Sequence, residues 1–253
     1  MNMARKRTVI ITGGTKGIGA SISKYFHDMG DYVLISARED NGLAEQLGER
    51  ARYVKTDVKK LEDHYRLIKE AKAWTGGIEV YVNCAGFSGW RSVGDADEEF
   101  WDEMINTNLK GVFWGCKAAA ESLRAGSSII NVSSLAGKRG STHNSVYCAS
   151  KFGVNGITQA LAKELGPRNI RVNAVCPVYV KTEGLLKALA DKRSPAQGRD
   201  LNSYLDRFAA EQTSLKRLPT GEEIAQVCYF LSSPEASAIT GQCLNVDCGV
   251  LPQ

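Results

Sequence analysis

A tyrosine and a lysine lie four positions apart in the segment Tyr147-Cys148-Ala149-Ser150-Lys151. In a helix, this spacing places Tyr147 and Lys151 on one face, one turn apart. A phenol has a pKa of about 10 and is a poor acid–base catalyst near neutrality. A neighbouring ammonium favours the phenolate and lowers that pKa. The pair therefore predicts proton transfer by Tyr147 assisted by Lys151, although an isolated match of this kind is more often a surface pair.

Further polar side chains occur where predicted strands end. Ser134 follows the predicted fifth strand, and Asn83-Cys84-Ala85-Gly86 follows the fourth. Parallel α/β sheets bind ligands at the carboxyl ends of their strands, so the Ser134 hydroxyl is expected beside the tyrosine, within reach of a substrate oxygen. Asn108 lies inside a long helical pattern and is expected to interrupt it, because asparagine competes for local backbone hydrogen bonds.

A glycine-rich turn, Thr12-Gly13-Gly14-Thr15-Lys16-Gly17-Ile18-Gly19, separates the first predicted strand from the first helix. Glycine leaves no Cβ to obstruct a pyrophosphate, and the helix N-terminus offers unpaired N–H groups to that anion. The spacing is G-x-x-x-G-x-G rather than G-x-G-x-x-G or a P-loop. A glycine motif alone is a weak signal, but its position between a strand and a helix predicts dinucleotide binding.

The residues after the second strand indicate which dinucleotide binds. An NAD-binding chain usually places Asp or Glu at this strand end to hold the ribose hydroxyls. Here the strand ends Ser36-Ala37-Arg38, and a guanidinium can grip a 2′-phosphate. Lys16 offers a second cation. The two cations favour NADP(H), whereas the adjacent Glu39 keeps NAD(H) open.

Short β-branched runs alternate with longer amphipathic segments and must position these groups. Such alternation predicts a doubly wound, Rossmann-type parallel sheet of about seven strands with helices on both faces. We expect a single domain over residues 1–253, with residues 182–219 as a polar lid that carries two weak helical patches. The predicted strands are Thr8–Ile11, Tyr32–Ser36, Arg52–Thr56, Glu79–Val82, Ser128–Val132, Ile170–Val175 and Cys243–Val246.

Composition narrows the class of protein further. A formal charge of +4 over 253 residues, without a basic stripe, argues against nucleic acid. The seven cysteines form no CxxC pair, so no metal site is expected and the thiols are expected to be reduced. The basic stretch Met1–Arg7 precedes an apolar run of only Val9–Ile11, too short for a signal peptide or a membrane span. A cytoplasmic protein is expected.

Together, these motifs resemble the short-chain dehydrogenase/reductase family in its single-domain form, from Thr8 to Gly249. The resemblance implies Tyr147 as general acid–base, Lys151 as the residue that binds the nicotinamide ribose, Ser134 as a donor to the carbonyl and Asn108 as the anchor of a relay water. It also implies a homo-oligomer, a tetramer or dimer, built on the Asn108–Arg124 and Tyr147–Leu165 helices. The other implied cofactor contacts are Gly13, Thr15, Lys16, Gly17, Ile18, Gly19, Arg38, Asp57, Val58, Asn83, Ala85, Gly86, Pro177, Val180 and Thr182.

Three positions depart from the family pattern. Val178 follows Pro177 where glycine is usual, and its branched side chain could crowd the nicotinamide or reshape the substrate side. Cys84 replaces a common asparagine, and Cys248 interrupts a common D-G-G sequence. None of them removes a catalytic group, so they bear on specificity more than on activity.

The function predicted from these residues is NADPH-dependent reduction of a carbonyl to a secondary alcohol. NAD-dependent oxidation of a secondary alcohol or a sugar-like polyol is the alternative. Dehydration or epimerisation on the same fold, and dinucleotide sensing without catalysis, also stay open. The substrate, a small molecule such as a medium-sized polar ketone or a hydroxylated ring, is expected to lie among residues 87–91, 135–144 and 178–216. The polar and aromatic candidates there are Ser88, Trp90, His143, Asn144 and Tyr179, although His143 is more often solvated and Trp90 at least as often part of a core.

Overall fold

β-Branched runs and amphipathic segments alternate along the chain, and the computed structural model describes them for residues 7–252. The strands are β1 Thr8–Thr12, β2 Tyr32–Ala37, β3 Ala51–Lys55, β4 Val80–Asn83, β5 Ser128–Val132, β6 Arg171–Pro177 and β7 Cys243–Val246. The α-helices of the described residues are α1 Gly17–Asp28, α2 Leu43–Leu47, α3 Leu61–Thr75, α4 Glu98–Ile105, α5 Gly111–Ser122, α6 Ser145–Leu165, α7 Glu183–Leu189, α8 Leu201–Gln212 and α9 Gly221–Ser232. Met1–Lys6, most of the basic N-terminal stretch, and Gln253 lie outside the described residues.

All the strands pair in parallel in one sheet of order β3-β2-β1-β4-β5-β6-β7. The strand order reverses between β1 and β4, where Thr12 pairs with Asn83. In doubly wound sheets the crevice at this reversal, beyond the carboxyl ends of the strands, is where ligands bind. The predicted fold class is confirmed, and the reversal places the glycine-rich turn beside the end of β4.

Both faces of the sheet are buried, because successive strand residues point to opposite sides. In β1, Val9 and Ile11 pack in a core under α1 and α9, whereas Ile10 packs in a second core under α3, α5 and α6. All three side chains are 0% exposed. The apolar strands of the sequence therefore read as continuous hydrophobic runs rather than as alternating ones.

The predicted interruption at Asn108 is confirmed. α4 and α5 are separated by a π-helical turn over Asn106–Lys110, and Asn108 lies at its centre. The ends of β3 and β4 lie one residue from the predicted positions, because ladder pairing with β2 and β1 fixes them rather than local composition. α6 begins at Ser145, two residues before the predicted start at Tyr147.

The segment 182–219 contains α7 and α8, which correspond to the two predicted helical patches. A cluster of its own, separate from the two main cores, joins this segment to the loop after β4. Trp90 is 4% exposed and packs there with Leu189, Ala196 and Leu205. Trp90 is thus a buried side chain of this cluster, which was the more conservative of the two interpretations from sequence.

Candidate active site

The glycine-rich turn lies directly against the end of β4. The Thr12 hydroxyl accepts hydrogen bonds from the N–H groups of Cys84 at 3.1 Å and Ala85 at 3.3 Å. A Cβ on Gly13, whose φ is +66°, would lie 2.7 Å from the Cα of Ala85. Only glycine allows this approach, so Gly13 and Ala85 together form the floor of the crevice.

The helix N-terminus behind the turn is open to an anion. Lys16 is the N-cap residue of α1, yet its side chain forms no capping hydrogen bond. A Cβ on Gly19 would collide with the carbonyl oxygen of Gly13, and Gly17 adopts a φ of +54°. The turn is therefore narrow and presents N–H groups of the helix start, which fits the pyrophosphate of a dinucleotide.

Tyr147, Lys151 and Ser134 meet at the carboxyl end of β5. Lys151 is 5% exposed, and its Nζ donates a hydrogen bond to the carbonyl oxygen of Val132 at 2.9 Å. That Nζ lies 5.7 Å from the centre of the Tyr147 ring. Ser134 caps the short 3-10 helix Leu135–Gly137 by accepting from the N–H of Ala136 at 3.1 Å, and its hydroxyl also interacts with the phenol of Tyr147. The predicted side chains are thus brought together.

Burial acts on both titrating groups of this cluster. It raises the pKa of Tyr147 to about 12, against a smaller lowering by the Ser134 hydroxyl. It also lowers the pKa of Lys151 to about 8. The loss of hydration is the largest influence on the pKa of the phenol, and the lowering expected from Lys151 stays a prediction.

Asn108 reaches the same crevice from the π-helical turn. Its side chain is 0% exposed and accepts from the N–H of Phe87 at 3.0 Å while it donates to the Phe87 carbonyl at 2.8 Å. A Cβ on Gly86 would lie 2.9 Å from Oδ1 of Asn108 and 3.8 Å from Nζ of Lys151. Asn108 therefore fixes the loop after β4 immediately beside the lysine.

The ends of β2 and β3 form the side of the crevice where the adenosine of a dinucleotide is expected. Arg38 follows β2 with 74% of its side chain exposed, and Lys16 and Glu39 are also exposed. Asp57 accepts from the N–H of Lys59 at 3.1 Å, which closes the loop after β3. Val58 packs against the start of α5, where a Cβ on Gly111 would lie 2.9 Å from its Cγ2.

Two residues of the predicted cofactor floor turn their side chains into the protein. Asn83 is 2% exposed and donates to Oδ1 of Asn131 at 2.9 Å, within a buried polar chain that continues to Thr158. Val180 is 5% exposed and belongs to the core under α1 and α9. The side chains of these two residues are therefore not available to a ligand in the crevice.

Thr182 lies beside the glycine-rich turn. A Cβ on Gly17 would lie 3.4 Å from the Cβ of Thr182, so the start of the segment 182–219 covers the turn. Thr182 also caps α7 by accepting from the N–H of Leu185 at 3.2 Å. Pro177, at the end of β6, is buried.

The candidate substrate-binding residues differ in their burial and in their proximity to Tyr147. Tyr179 is close enough to influence Tyr147 electrostatically, and its ring centre lies 4.8 Å from that of Phe208 in α8. His143 is exposed in a left-handed conformation, with φ of 58°. Asn144 is 6% exposed, and its Oδ1 has no partner among the described residues. Of these three, Tyr179 is the one that lies close enough to Tyr147 for the two phenols to influence each other.

Four residues at the site were not predicted. Thr12 binds the loop after β4, and Asn41 donates to the carbonyl of Thr15 at 2.7 Å, which ties the loop after β2 to the glycine-rich turn. Lys59 and Glu103 form an ion pair beside Arg38. A hydroxyl that ends a buried strand was the available signal for Thr12, whereas nothing in the local spacing distinguished the other three.

Comparisons with known proteins agree with this geometry. Residues 13–251 match the family model described as enoyl-(acyl carrier protein) reductase. The 3-oxoacyl-acyl-carrier-protein reductase FabG of Chlamydia trachomatis is 35% identical over 96% of this chain and 97% of its own. A short-chain dehydrogenase/reductase of Brucella melitensis, described as a glucose/ribitol dehydrogenase, is 33% identical with a TM-score of 0.88, covering 98% of this chain and 97% of that one.

A third relative is a variant of actinorhodin polyketide ketoreductase whose structure was determined with NADPH. It is 31% identical, with a TM-score of 0.89 and 99% coverage of both chains. The fold and crevice define a nicotinamide-dependent oxidoreductase that acts on CH–OH and C=O groups of small molecules. The chain belongs to the short-chain dehydrogenase/reductase family. Across residues 7–252, no helix has the length and apolar character that crossing a membrane requires.

Proposed function

We propose that this protein is an NADPH-dependent reductase that converts a ketone to a secondary alcohol, with Tyr147 as the proton donor. The observation that carries the proposal is the cluster at the end of β5. There, Lys151 is buried beside Tyr147, and the hydroxyl of Ser134 interacts with the phenol. Such a cluster supplies both a proton and a hydrogen-bond donor to one oxygen atom.

Each side chain of the cluster has one task in this proposal. Tyr147 donates a proton to the substrate oxygen, and Ser134 donates a hydrogen bond that stabilises the developing alkoxide. Lys151, held by the Val132 carbonyl, places its ammonium where it can bind the hydroxyls of the nicotinamide ribose. Asn108 keeps the loop after β4 in position through Phe87. A nicotinamide bound in the crevice supplies the hydride.

The pKa of Tyr147 bears on its proposed role as proton donor. Burial raises that pKa to about 12, so the phenol is protonated near neutral pH and ready to donate. Oxidation of an alcohol would instead need the phenolate as a base. The raised pKa therefore supports proton donation by Tyr147 in the reductive direction.

The preference for NADPH is supported by charge. Arg38 and Lys16 are exposed cations at the adenosine side, and Ser36 and Ala37 offer no carboxylate to a ribose hydroxyl. The structurally similar actinorhodin ketoreductase was determined with NADPH. Comparison of thermal stabilisation by NADPH and NADH tests this point, because a ligand that binds the native state raises its apparent stability. A larger stabilisation by NADH would contradict the role given to Arg38.

The proton-transfer role is tested by Tyr147→Phe in an assay of NADPH oxidation with a panel of ketones. We expect turnover to fall by roughly 10²- to 10⁴-fold, the usual contribution of a general acid, with NADPH binding retained. Tyr65→Phe is the matched control, since Tyr65 lies in α3 and binds Glu121, remote from the crevice. Unchanged turnover in Tyr147→Phe would overturn the proposal.

A second candidate is an NAD-dependent dehydrogenase of a secondary alcohol or sugar. The similarity to the Brucella glucose/ribitol dehydrogenase and the exposed Glu39 after Arg38 favour it. Reduction of NAD with a panel of sugars and polyols, at a rate above that of NADPH oxidation with ketones, would establish this alternative instead.

The organisation of the chain is part of the same proposal. We infer one domain, with residues 182–219 as a lid over the substrate side, and a dimer or tetramer. The lid is supported by the cluster of Trp90, Leu189 and Leu205, which joins it to the loop after β4. Exchange of backbone amides in α7 and α8, measured with and without NADPH, tests whether this segment closes on the ligand.

A further inference from the structure

Three charged side chains meet at the adenosine side of the crevice: Arg38 after β2, Lys59 after β3 and Glu103 in α4. Nζ of Lys59 lies 2.8 Å from Oε2 of Glu103, and Nη1 of Arg38 lies 3.9 Å from Oε1. Oε1 also accepts from the hydroxyl of Thr107 at 3.3 Å. One carboxylate therefore draws two cations toward itself.

This group is open to a ligand. The side chain of Arg38 is 74% exposed, that of Glu103 41% and that of Lys59 31%. Lys59 directly follows Asp57 and Val58, the expected adenine contacts. The formal charge of the three side chains is +1. A phosphate monoester carries about −1.5 to −2 charges near neutral pH, so the Glu103 carboxylate both repels it and competes with it for the cations.

We propose that Glu103 is a specificity-determining residue that weakens binding of a 2′-phosphate by Arg38 and Lys59 and so limits the preference for NADPH over NADH. The inference rests on the proposed use of NADPH. Glu103→Gln keeps the size of the side chain and one acceptor oxygen, replaces the other oxygen by an NH2 donor, and raises the formal charge of the group from +1 to +2. Removal of the negative charge of Glu103, which lies beside both cations, is expected to strengthen 2′-phosphate binding by roughly threefold to tenfold at low salt.

The test is calorimetric titration with two probes, adenosine 2′,5′-bisphosphate and adenosine 5′-monophosphate, which need no turnover. Glu103→Gln is expected to bind the bisphosphate more tightly by that factor and the monophosphate as the wild type does. At about 1 M salt, where the Debye length falls to about 3 Å, most of the gain should disappear. Lys59→Gln is expected to weaken bisphosphate binding without affecting the monophosphate.

Asp102→Asn is the matched control. Asp102 is the neighbouring residue of α4, is exposed, and forms no ion pair with any residue of the described part of the chain. Asp102→Asn removes the same charge as Glu103→Gln, but at a position about a quarter turn away from Glu103 round the helix. We expect its affinity for both probes to match the wild type.

The outcomes distinguish the role of Glu103 from the NADPH preference on which it rests. Equal binding of the two probes by the wild type would overturn the proposed NADPH preference and this inference with it. A wild type that favours the bisphosphate, combined with unchanged or weaker bisphosphate binding in Glu103→Gln, would overturn the inference alone. An equal gain in Asp102→Asn would do the same, because it would show a general charge effect rather than one specific to Glu103.

Discussion

Tyr147 and Lys151 share one helix face, but burial moves their pKa values in opposite directions. The neutral form of each is favoured, so the phenol keeps its proton and the ammonium loses its proton more easily. The helical spacing alone predicted that the two side chains lie together, whereas the lowering of the phenol pKa by Lys151 stays a prediction. Spacing fixes which side chains meet, whereas the pKa depends on how much water the surrounding strands exclude.

The lowered pKa of Lys151 predicts how the rate depends on pH. Its pKa of about 8 means that the side chain is charged below that pH and neutral above it. Since the proposed role in binding the nicotinamide ribose uses the ammonium, we expect kcat/KM for ketone reduction to fall as pH rises through about 8. The measurement is the pH profile of NADPH oxidation.

Lys151→Arg serves as the control for this profile. A guanidinium stays charged throughout the range, so the variant is expected to be slower but to lose the decline near pH 8. A wild-type profile that is flat to about pH 10, the ordinary pKa of an unburied lysine, would contradict the role of the buried ammonium.

At the scale of elements, the positions of strands and of helix breaks could be predicted from the sequence, whereas the contacts between elements could not. β5 and β7 have the predicted bounds, because β-branched runs bounded by turns specify buried strands. The break between α4 and α5 was predictable from Asn108. Two other features could not be predicted from the sequence, because they depend on which elements pack together. They are the inward-facing side chains of Asn83 and Val180 and the hydrogen bond from Asn41 to Thr15.

The packing of α5 against the sheet makes a quantitative prediction. A Cβ on Gly115 would collide with Oδ1 of Asn83 and lie 3.1 Å from Cε1 of Tyr81. Both neighbours are buried and cannot move freely, so Gly115→Ala should lower the free energy of unfolding by about 1–3 kcal/mol. Urea unfolding measures this change.

Gly184→Ala is the control for that substitution. Gly184 lies in α7, and an added Cβ would meet no atom within 4 Å. Because alanine favours helix more than glycine does, we expect unchanged stability or a gain of up to about 1 kcal/mol. Equal unfolding curves for Gly115→Ala and the wild type would show that α5 can shift away from β4.

The proposed lid is tied to the loop after β4 by an ion pair. Nη1 of Arg91 lies 3.3 Å from Oδ2 of Asp191, and the Arg91 guanidinium also lies 4.8 Å from the centre of the Phe100 ring. A partly exposed pair contributes about 0.2–1 kcal/mol. Asp191→Asn should therefore raise KM for the ketone by up to about fivefold and leave the Kd of NADPH unchanged.

Asp206→Asn is the control for the lid, since Asp206 is exposed in α8 and forms no ion pair with a residue of the described range. It removes the same charge from the lid without affecting the contact with Arg91. Steady-state measurement of KM for the ketone in both variants shows whether the contact with Arg91 or the charge of the lid is responsible. If both raise KM equally, the effect comes from the charge of the lid and not from its link to Arg91.

At the scale of the whole molecule, the family resemblance predicts an interface on α5 and α6, and the exposure of their side chains indicates which residues would form it. The small residues Ala118, Ala119 and Ala162 are at most 5% exposed and pack inside the chain. Large apolar side chains are exposed instead, with Phe113 at 44% and Phe152 at 48%. The groove beside them is lined by Ile105, Leu109, Lys110, Phe113, Trp114, Gly153 and Ile157.

This exposed groove predicts self-association through α5 and α6. Continuous apolar patches are rare on monomers, and a second copy related by a twofold axis would cover the same patch on both chains. Phe113→Asp places a charge in the centre of that contact, so we expect the oligomer to dissociate by at least one step in sedimentation velocity at micromolar concentration.

Leu215→Asp is the control, because Leu215 is 62% exposed outside these helices and should leave the mass unchanged. An unchanged mass for Phe113→Asp would exclude this face as the interface, since a desolvated carboxylate without a partner is too costly for a stable contact to tolerate.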